Sequence, residues 1–159
     1  MKHQTKFQKP TKISSGLSGV AGEYSVAAEL CRRGYLACIT LRNAKGVDIL
    51  ATNATATTTA AIQVKSNQDY RKYWLLNKKA EDLVGSNFFY VLVNLGTESR
   101  YPEFHVVPSK VIAEFIKRDH QTWLKTPGKK GQARQDTTMR KFVDSDDKYL
   151  GRWDLLGLD

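Results

Sequence analysis

The run "FFYVLVNL", residues 88 to 95, constrains the fold most. Eight residues fall far short of the roughly 20 needed to span a bilayer, and a half-exposed strand would alternate apolar with polar residues. A short, continuous apolar run reads as a strand buried on both faces. Such a strand needs a layer packed on each side of its sheet.

Two segments can supply those layers. From Ser14 or Ser18, either a suitable N-cap, "GLSGVAGEYSVAAELCRRGY" carries Val20, Tyr24, Ala27, Leu30 and Cys31 at helical spacing, and Gly34 stands where a C-capping glycine belongs. Pro108 and Ser109 open "KVIAEFIKRDHQTWLK", with an apolar stripe of Val111, Ile112, Phe115 and Ile116. Strands are expected at 35–41, 47–52 and 59–66. A further one at 103–107 pairs with 88–95 through a loop containing Gly96. A short helix is expected within 77–85, and 66–74 reads as a link rich in charge and aromatics. The expected architecture is an α/β sandwich in one domain, residues 14–159.

The glycines at 16, 19 and 22 do not form a phosphate loop, because no GK[ST] follows and no strand precedes them. Close packing of a helix on a sheet accounts for them better. Cys31 and Cys38 form no CxxC pair and read as buried small hydrophobes in a reducing cytosol, the expected location. His3, His105 and His120 show no ligand spacing and receive no role. No GxSxG, HExxH or paired CxxC occurs, so serine-hydrolase and zinc-enzyme readings lack support.

Charge directs attention to polyanions. Lys and Arg total 25 against 16 acids, a net charge of +9, and nucleic acid is the first partner to consider. Residues 1–13 read as a basic flexible arm, and 125–141, with six basic residues and one acid, as a basic flexible loop. The apolar tail "YLGRWDLLGL" either caps the core or forms a subunit contact.

The chemistry concentrates on one hairpin and one helix. Glu23 precedes Ala27 by one turn and Leu30 by two, which puts a carboxylate on the stripe expected to face the sheet. A buried carboxylate requires a partner or a cation. In the strand at 59–66, Ile62 and Val64 face one way, and Gln63 and Lys65 face the other, about 6 to 7 Å apart. A hairpin places Asp48 beside Gln63, and the helix can bring Glu23 over the same spot. Two carboxylates and an amide oxygen are hard ligands suited to Mg²⁺ or Mn²⁺, and a neighbouring lysine can stabilise charge developing on a phosphate. A structural alternative has Glu23 and Lys65 as a partly buried ion pair and Asp48 as a turn residue.

The order Glu23, then "GVD" (Asp48), then "QVK" (Gln63, Lys65) resembles the PD-(D/E)XK nuclease superfamily, including stand-alone members similar to archaeal Holliday-junction resolvases. The resemblance covers roughly residues 14 to 95. It implies the restriction-endonuclease-like fold, a mixed central sheet of about five strands flanked by helices. It also implies metal ligation by Glu23, Asp48, Gln63 and the carbonyl of Val64, with Lys65 catalytic. DNA, branched or otherwise structured, is the implied substrate, and a homodimer is the implied assembly. Gln63 stands where the pattern has a second acid, so the site has one charge fewer, as in homing endonucleases that carry QxK. The resulting expectation is a Mg²⁺-dependent endodeoxyribonuclease, with a catalytically inactive DNA-binding protein on the same fold as the alternative. A protein-interaction module is a third reading.

Expected nucleic-acid contacts are Ser66, Gln68, Arg71 and Lys72 directly after the hairpin, and Lys129, Lys130, Arg134 and Arg140 in the basic loop. Tyr70, Tyr73 and Trp74 offer stacking faces.

Overall fold

The computed structural model describes residues 12–41, 46–96 and 100–159. The expected basic arm therefore lies almost wholly outside the described residues. Among these residues no helix is long and apolar enough to cross a membrane.

Helix α1 (Ser15–Arg32) is followed by β1 (Leu36–Ile39), β2 (Ile49–Thr52) and β3 (Thr59–Asn67). Then come β4 (Tyr73–Asn77), a 3-10 turn (Lys78–Glu81), β5 (Phe88–Asn94), β6 (Glu103–Pro108), α2 (Ser109–Lys125), β7 (Met139–Val143) and a second 3-10 turn (Trp153–Leu156). Five strands form one sheet in the order β1-β2-β3-β5-β6, and β4 pairs with β7 in a separate ribbon. The β3–β5 pair is parallel and the others are antiparallel, so the sheet is mixed.

The apolar run at 88–95 is the doubly buried strand that its composition predicts: every residue of β5 is buried. Phe89, Val91 and Val93 pack with Val26 and Leu30 of α1, together with Ile62 and Val64 of β3. On the other face, Phe88, Tyr90 and Leu92 pack with Ile112 and Ile116 of α2 and with Trp74 and Phe142 of the β4–β7 ribbon. Trp153, Leu156 and Leu158 complete the α1-side core. The tail is thus consumed by its own core, and a second copy would have to use another surface.

The register of α1 differs from the spacing-based stripe. Its buried residues are Ser18, Gly22, Val26 and Leu30, whereas Tyr24 and Cys31 face outward. Gly22 is the reason. A Cβ there would stand 1.8 Å from Ser66 Oγ and 3.4 Å from Val64 Cγ1. Only glycine allows the helix to approach β3 so closely, so the buried stripe runs through the small residues Ser18 and Gly22 before Val26 and Leu30. Ser14 caps the helix by accepting from Leu17 N. Gly34, at φ +87°, follows its end in the left-handed conformation.

Three expectations need correction. Cys31 and Cys38 are exposed, because Cys31 lies beside the buried stripe and Cys38 lies on the side of β1 away from α1. The link at 66–74 leads straight into β4, where Trp74 is buried and donates Nε1–H to Val93 O at 3.2 Å. It is therefore unavailable for base stacking. The basic loop is anchored: Arg134 lies over the Trp123 ring at 4.6 Å, Asp136 bonds His120 and Lys78, and Met139 begins β7.

Candidate active site

Asp48 immediately precedes β2, where its backbone N–H still donates to Ile62 O at 2.8 Å. Its carboxylate accepts a hydrogen bond from Val64 N at 2.7 Å. The side chain takes over the pairing that β2 would have made with β3 had it begun earlier. In a strand, a residue's N–H and C=O lie on the same edge. The Val64 carbonyl therefore lies on the edge of β3 that Asp48 occupies.

Gln63 and Lys65 project to the face opposite Ile62 and Val64, as alternation requires. There they line a cavity of about 690 Å³ with Tyr90, Leu75, Asn77 and Lys79. Gln63 is directly opposite Tyr90 in the β3–β5 pairing. Tyr90 is fully buried and its hydroxyl has no hydrogen-bond partner among the described residues. Burial, with a contribution from the negative charge of Asp48, pushes that phenol up to about 12, so it remains a proton donor through the neutral range.

Glu23 is half-buried on α1, beside Gly22. Its helix, α1, packs on the Val64 and Ser66 side of β3, the side opposite Gln63 and Lys65. Helix α1 covers the Val64 side of β3, Gln63 and Lys65 occupy the cavity side, and Asp48 stands just before β2, its carbonyl accepting from Thr40 N and its N–H donating to Ile62 O. The donor set suits a hard divalent cation: carboxylates, an amide oxygen and a backbone carbonyl from two adjacent strands and one helix.

The eight expected nucleic-acid contacts divide sharply. Arg71, Lys129 and Lys130 are exposed, although Arg71 is bonded to Asp69 at 2.9 Å and to the Tyr73 hydroxyl at 3.0 Å. Ser66 Oγ is buried beneath α1 at Gly22. Gln68 is occupied by both backbone groups of Ile13, accepting from its N at 3.0 Å and donating to its O at 2.7 Å. Lys72 is bonded to Asp147, which raises its pKa. Arg134 is half-buried against Trp123. Arg140 is 3% exposed and bonded to Glu81, with further bonds to the Thr137 and Met139 carbonyls and to Asp136. These last five basic or polar groups serve the fold's own contacts, which the linear sequence does not display.

Sequence spacing also offered no sign of the two buried histidine pairs. His105 Nδ1 lies 2.7 Å from Asp144 Oδ2, and His120 Nε2 lies 2.7 Å from Asp136 Oδ1. Their partners are 39 and 16 residues away, beyond the reach of any local motif.

No family model matches the chain, and no curated protein matches it in sequence. Solved structures do. The fold is similar to that of Hjc, a Holliday junction resolvase from Archaeoglobus fulgidus, with TM-score 0.51 and 14% identity over 89% of this chain and 97% of that one. It is also similar to a bacterial homing endonuclease, with TM-score 0.54 and 15% identity over 92% of this chain and 94% of that one. The chain has the restriction-endonuclease-like fold, a mixed five-stranded sheet flanked by two helices.

Proposed function

We propose that the chain is a metal-dependent nuclease that hydrolyses DNA phosphodiesters, with Glu23, Asp48, Gln63 and Lys65 as its working residues. One observation carries the reading: the Asp48 carboxylate is fixed on Val64 N–H at 2.7 Å, at the edge of the strand whose flanking outward side chains, Gln63 and Lys65, line a cavity. Two nucleases share the fold at low identity, which supports the same reading.

Asp48, the Gln63 amide oxygen, the Val64 carbonyl and Glu23 would hold a Mg²⁺ or Mn²⁺ ion. Such an ion supplies Lewis acidity toward a phosphoryl oxygen and lowers the pKa of a bound water. The chain's own residues do the rest. The Lys65 ammonium, on the cavity wall, stabilises negative charge as it develops on the phosphate and orients the attacking water. Tyr90, protonated and dry, offers a hydrogen bond at the floor of the cavity. Gln63 brings an oxygen without a charge, so the site has two formal negative charges where the acidic version of the pattern has three. The cation is held more weakly for that reason.

The surface supports a backbone-reading contact. Asn77 lines the cavity and pairs with Met139 at the end of the basic loop, so that loop leads away from the cavity rim. Exposed Lys129 and Lys130 at its turn, with Arg71, fit sequence-independent phosphate contacts.

Purified protein incubated with branched, linear and single-stranded DNA in Mg²⁺ and in Mn²⁺ tests the proposal. Cleavage that disappears in Asp48→Ala and Lys65→Ala supports it. Salt-dependent binding with no cleavage on any substrate favours a DNA-binding protein on this fold, in which the uncharged Gln63 marks a lost activity.

A further inference from the structure

A second polar cluster lies between β6 and the turn after β7, three strands from Asp48 in the sheet order. Its centre is His105, a fully buried residue on β6. Asp144, 5% exposed, accepts from Lys148 N at 3.0 Å and from Tyr149 N at 3.1 Å, which fixes its carboxylate beside His105 Nδ1. In the neutral imidazole this arrangement puts the proton on Nδ1 and the lone pair on Nε2. A buried carboxylate behind a histidine is the usual support that orients a metal-binding imidazole.

The Nε2 atom is the unexplained one. Among the described residues it is buried without a hydrogen-bond partner, and Asp147 Oδ1 lies 4.0 Å from it, too far for a hydrogen bond. Two ligand atoms on one zinc ion, each about 2.1 Å from it, stand about 3.4 Å apart at the tetrahedral angle. A small inward movement of the half-exposed Asp147 side chain would complete that span.

The surroundings already favour a cation. The Lys72 ammonium contacts Asp147 Oδ1 and lies 4.0 Å from Glu103 Oε2. Asn94, fully buried, donates Nδ2–H to Glu103 at 3.3 Å, yet its Oδ1 also has no partner among the described residues. Among those residues three carboxylates and two unpartnered buried acceptors, His105 Nε2 and Asn94 Oδ1, are thus balanced by a single ammonium. The cluster has too many acceptors for its donors. Buried acceptors of this kind are resolved by a water or by an ion.

The geometry points to a divalent cation site of zinc type formed by His105 Nε2 and Asp147, with Asp144 as the outer support, Glu103 beside the Lys72 ammonium as a further carboxylate, and Lys72 as the occupant that the metal displaces. A nitrogen ligand with two carboxylates suits zinc better than magnesium. Glu103 and His105 lie on one face of β6, whereas Asp147 follows β7, so the ion would tie the ribbon and the tail to the main sheet. This inference does not depend on the nuclease reading.

Isothermal titration with Zn²⁺ alone, paired with thermal melts, tests it on the full chain. The Asp48→Asn background removes a carboxylate of the β3 edge and keeps the two sites apart. One equivalent of Zn²⁺ is expected to bind Asp48→Asn, and any further equivalent in wild type belongs to the β3 edge. Asp147→Asn, at a half-exposed position that should fold, weakens binding at least tenfold. Lys72→Gln, which removes the competing ammonium, tightens it at least tenfold. The proposal is overturned by the absence of saturable binding in both wild type and Lys72→Gln. It is equally overturned by binding that Asp48→Asn abolishes and Asp147→Asn leaves unchanged.

Discussion

Val64 donates its backbone N–H to the Asp48 carboxylate at 2.7 Å, so the residue proposed to bind metal also finishes the β2–β3 ladder. Its two roles are separable by substitution. Asp48→Asn keeps an acceptor for Val64 and removes the charge, so its melting temperature should stay within a few degrees of wild type while cleavage falls at least 100-fold. Asp48→Ala loses both the charge and the acceptor, and leaving the Val64 donor unpaired costs a further 1–3 kcal/mol or so in urea unfolding. An Asn variant that cleaves like wild type would remove Asp48 from the chemistry.

Gln63→Glu adds the charge that the site lacks. The Mg²⁺ concentration at half-maximal cleavage should fall by about tenfold, equivalent to about 1.4 kcal/mol of cation binding. An unchanged Mg²⁺ dependence would mean that residue 63 does not face the ion.

Tyr90→Phe removes a buried hydroxyl without a hydrogen-bond partner among the described residues. Stability should be unchanged or slightly higher, because the hydroxyl is desolvated with no compensating bond. If the hydroxyl serves the cavity, the cleavage rate falls by about tenfold, the value of one hydrogen bond made in the transition state. A rate equal to wild type would leave Tyr90 as packing alone.

Basic residues should divide into those that bind and those that hold the fold. Replacing exposed Lys129 and Lys130 with Ala should flatten the slope of log affinity against log salt by about 0.9 for each phosphate that is no longer neutralised, with no change in melting temperature. Arg140→Ala should do the reverse, destabilising by about 3–5 kcal/mol because half-buried Glu81 loses its partner. Titrations by fluorescence anisotropy at several salt concentrations, with urea melts alongside, distinguish the two classes.

That division explains how much was legible in the sequence. Alternation placed Gln63 and Lys65 on one face, and the continuous apolarity of 88–95 marked β5 as buried on both faces, because both are local consequences of strand geometry. The register of α1 was not legible. Gly22 follows from a close approach to Ser66, 44 positions along the chain, so the apolar spacing of Tyr24 and Cys31 misidentified the buried side. Arg140 and Lys72 misled for the same reason. A lysine or arginine in a polar stretch looks the same whether its anionic partner is a DNA phosphate or a carboxylate 59 or 75 residues away in its own chain.

Acid should loosen the basic loop first. Asp136 is held well below the usual carboxylate range, chiefly by its hydrogen bond to Lys78 and then by the one to His120. A depressed folded value means that its stabilising contribution is present above the unfolded carboxylate value of about 4 and is lost as pH falls through the folded one. The gap in melting temperature between wild type and Asp136→Asn should therefore be positive at neutral pH and shrink below about pH 4. A gap that stays constant down to pH 2 would contradict the pairing.

The central claim is that the edge of β3 at Asp48 is a divalent-metal site. Crystals soaked in Mn²⁺ and measured at the manganese absorption edge test it most directly. An anomalous peak is expected within about 2.5 Å of an Asp48 carboxylate oxygen, with Gln63 Oε1 or the Val64 carbonyl in the same coordination shell. Glu23 should close on it from the α1 side. A peak elsewhere with none at Asp48, or well-ordered Asp48, Gln63 and Glu23 oxygens that diverge in saturating Mn²⁺, would contradict it.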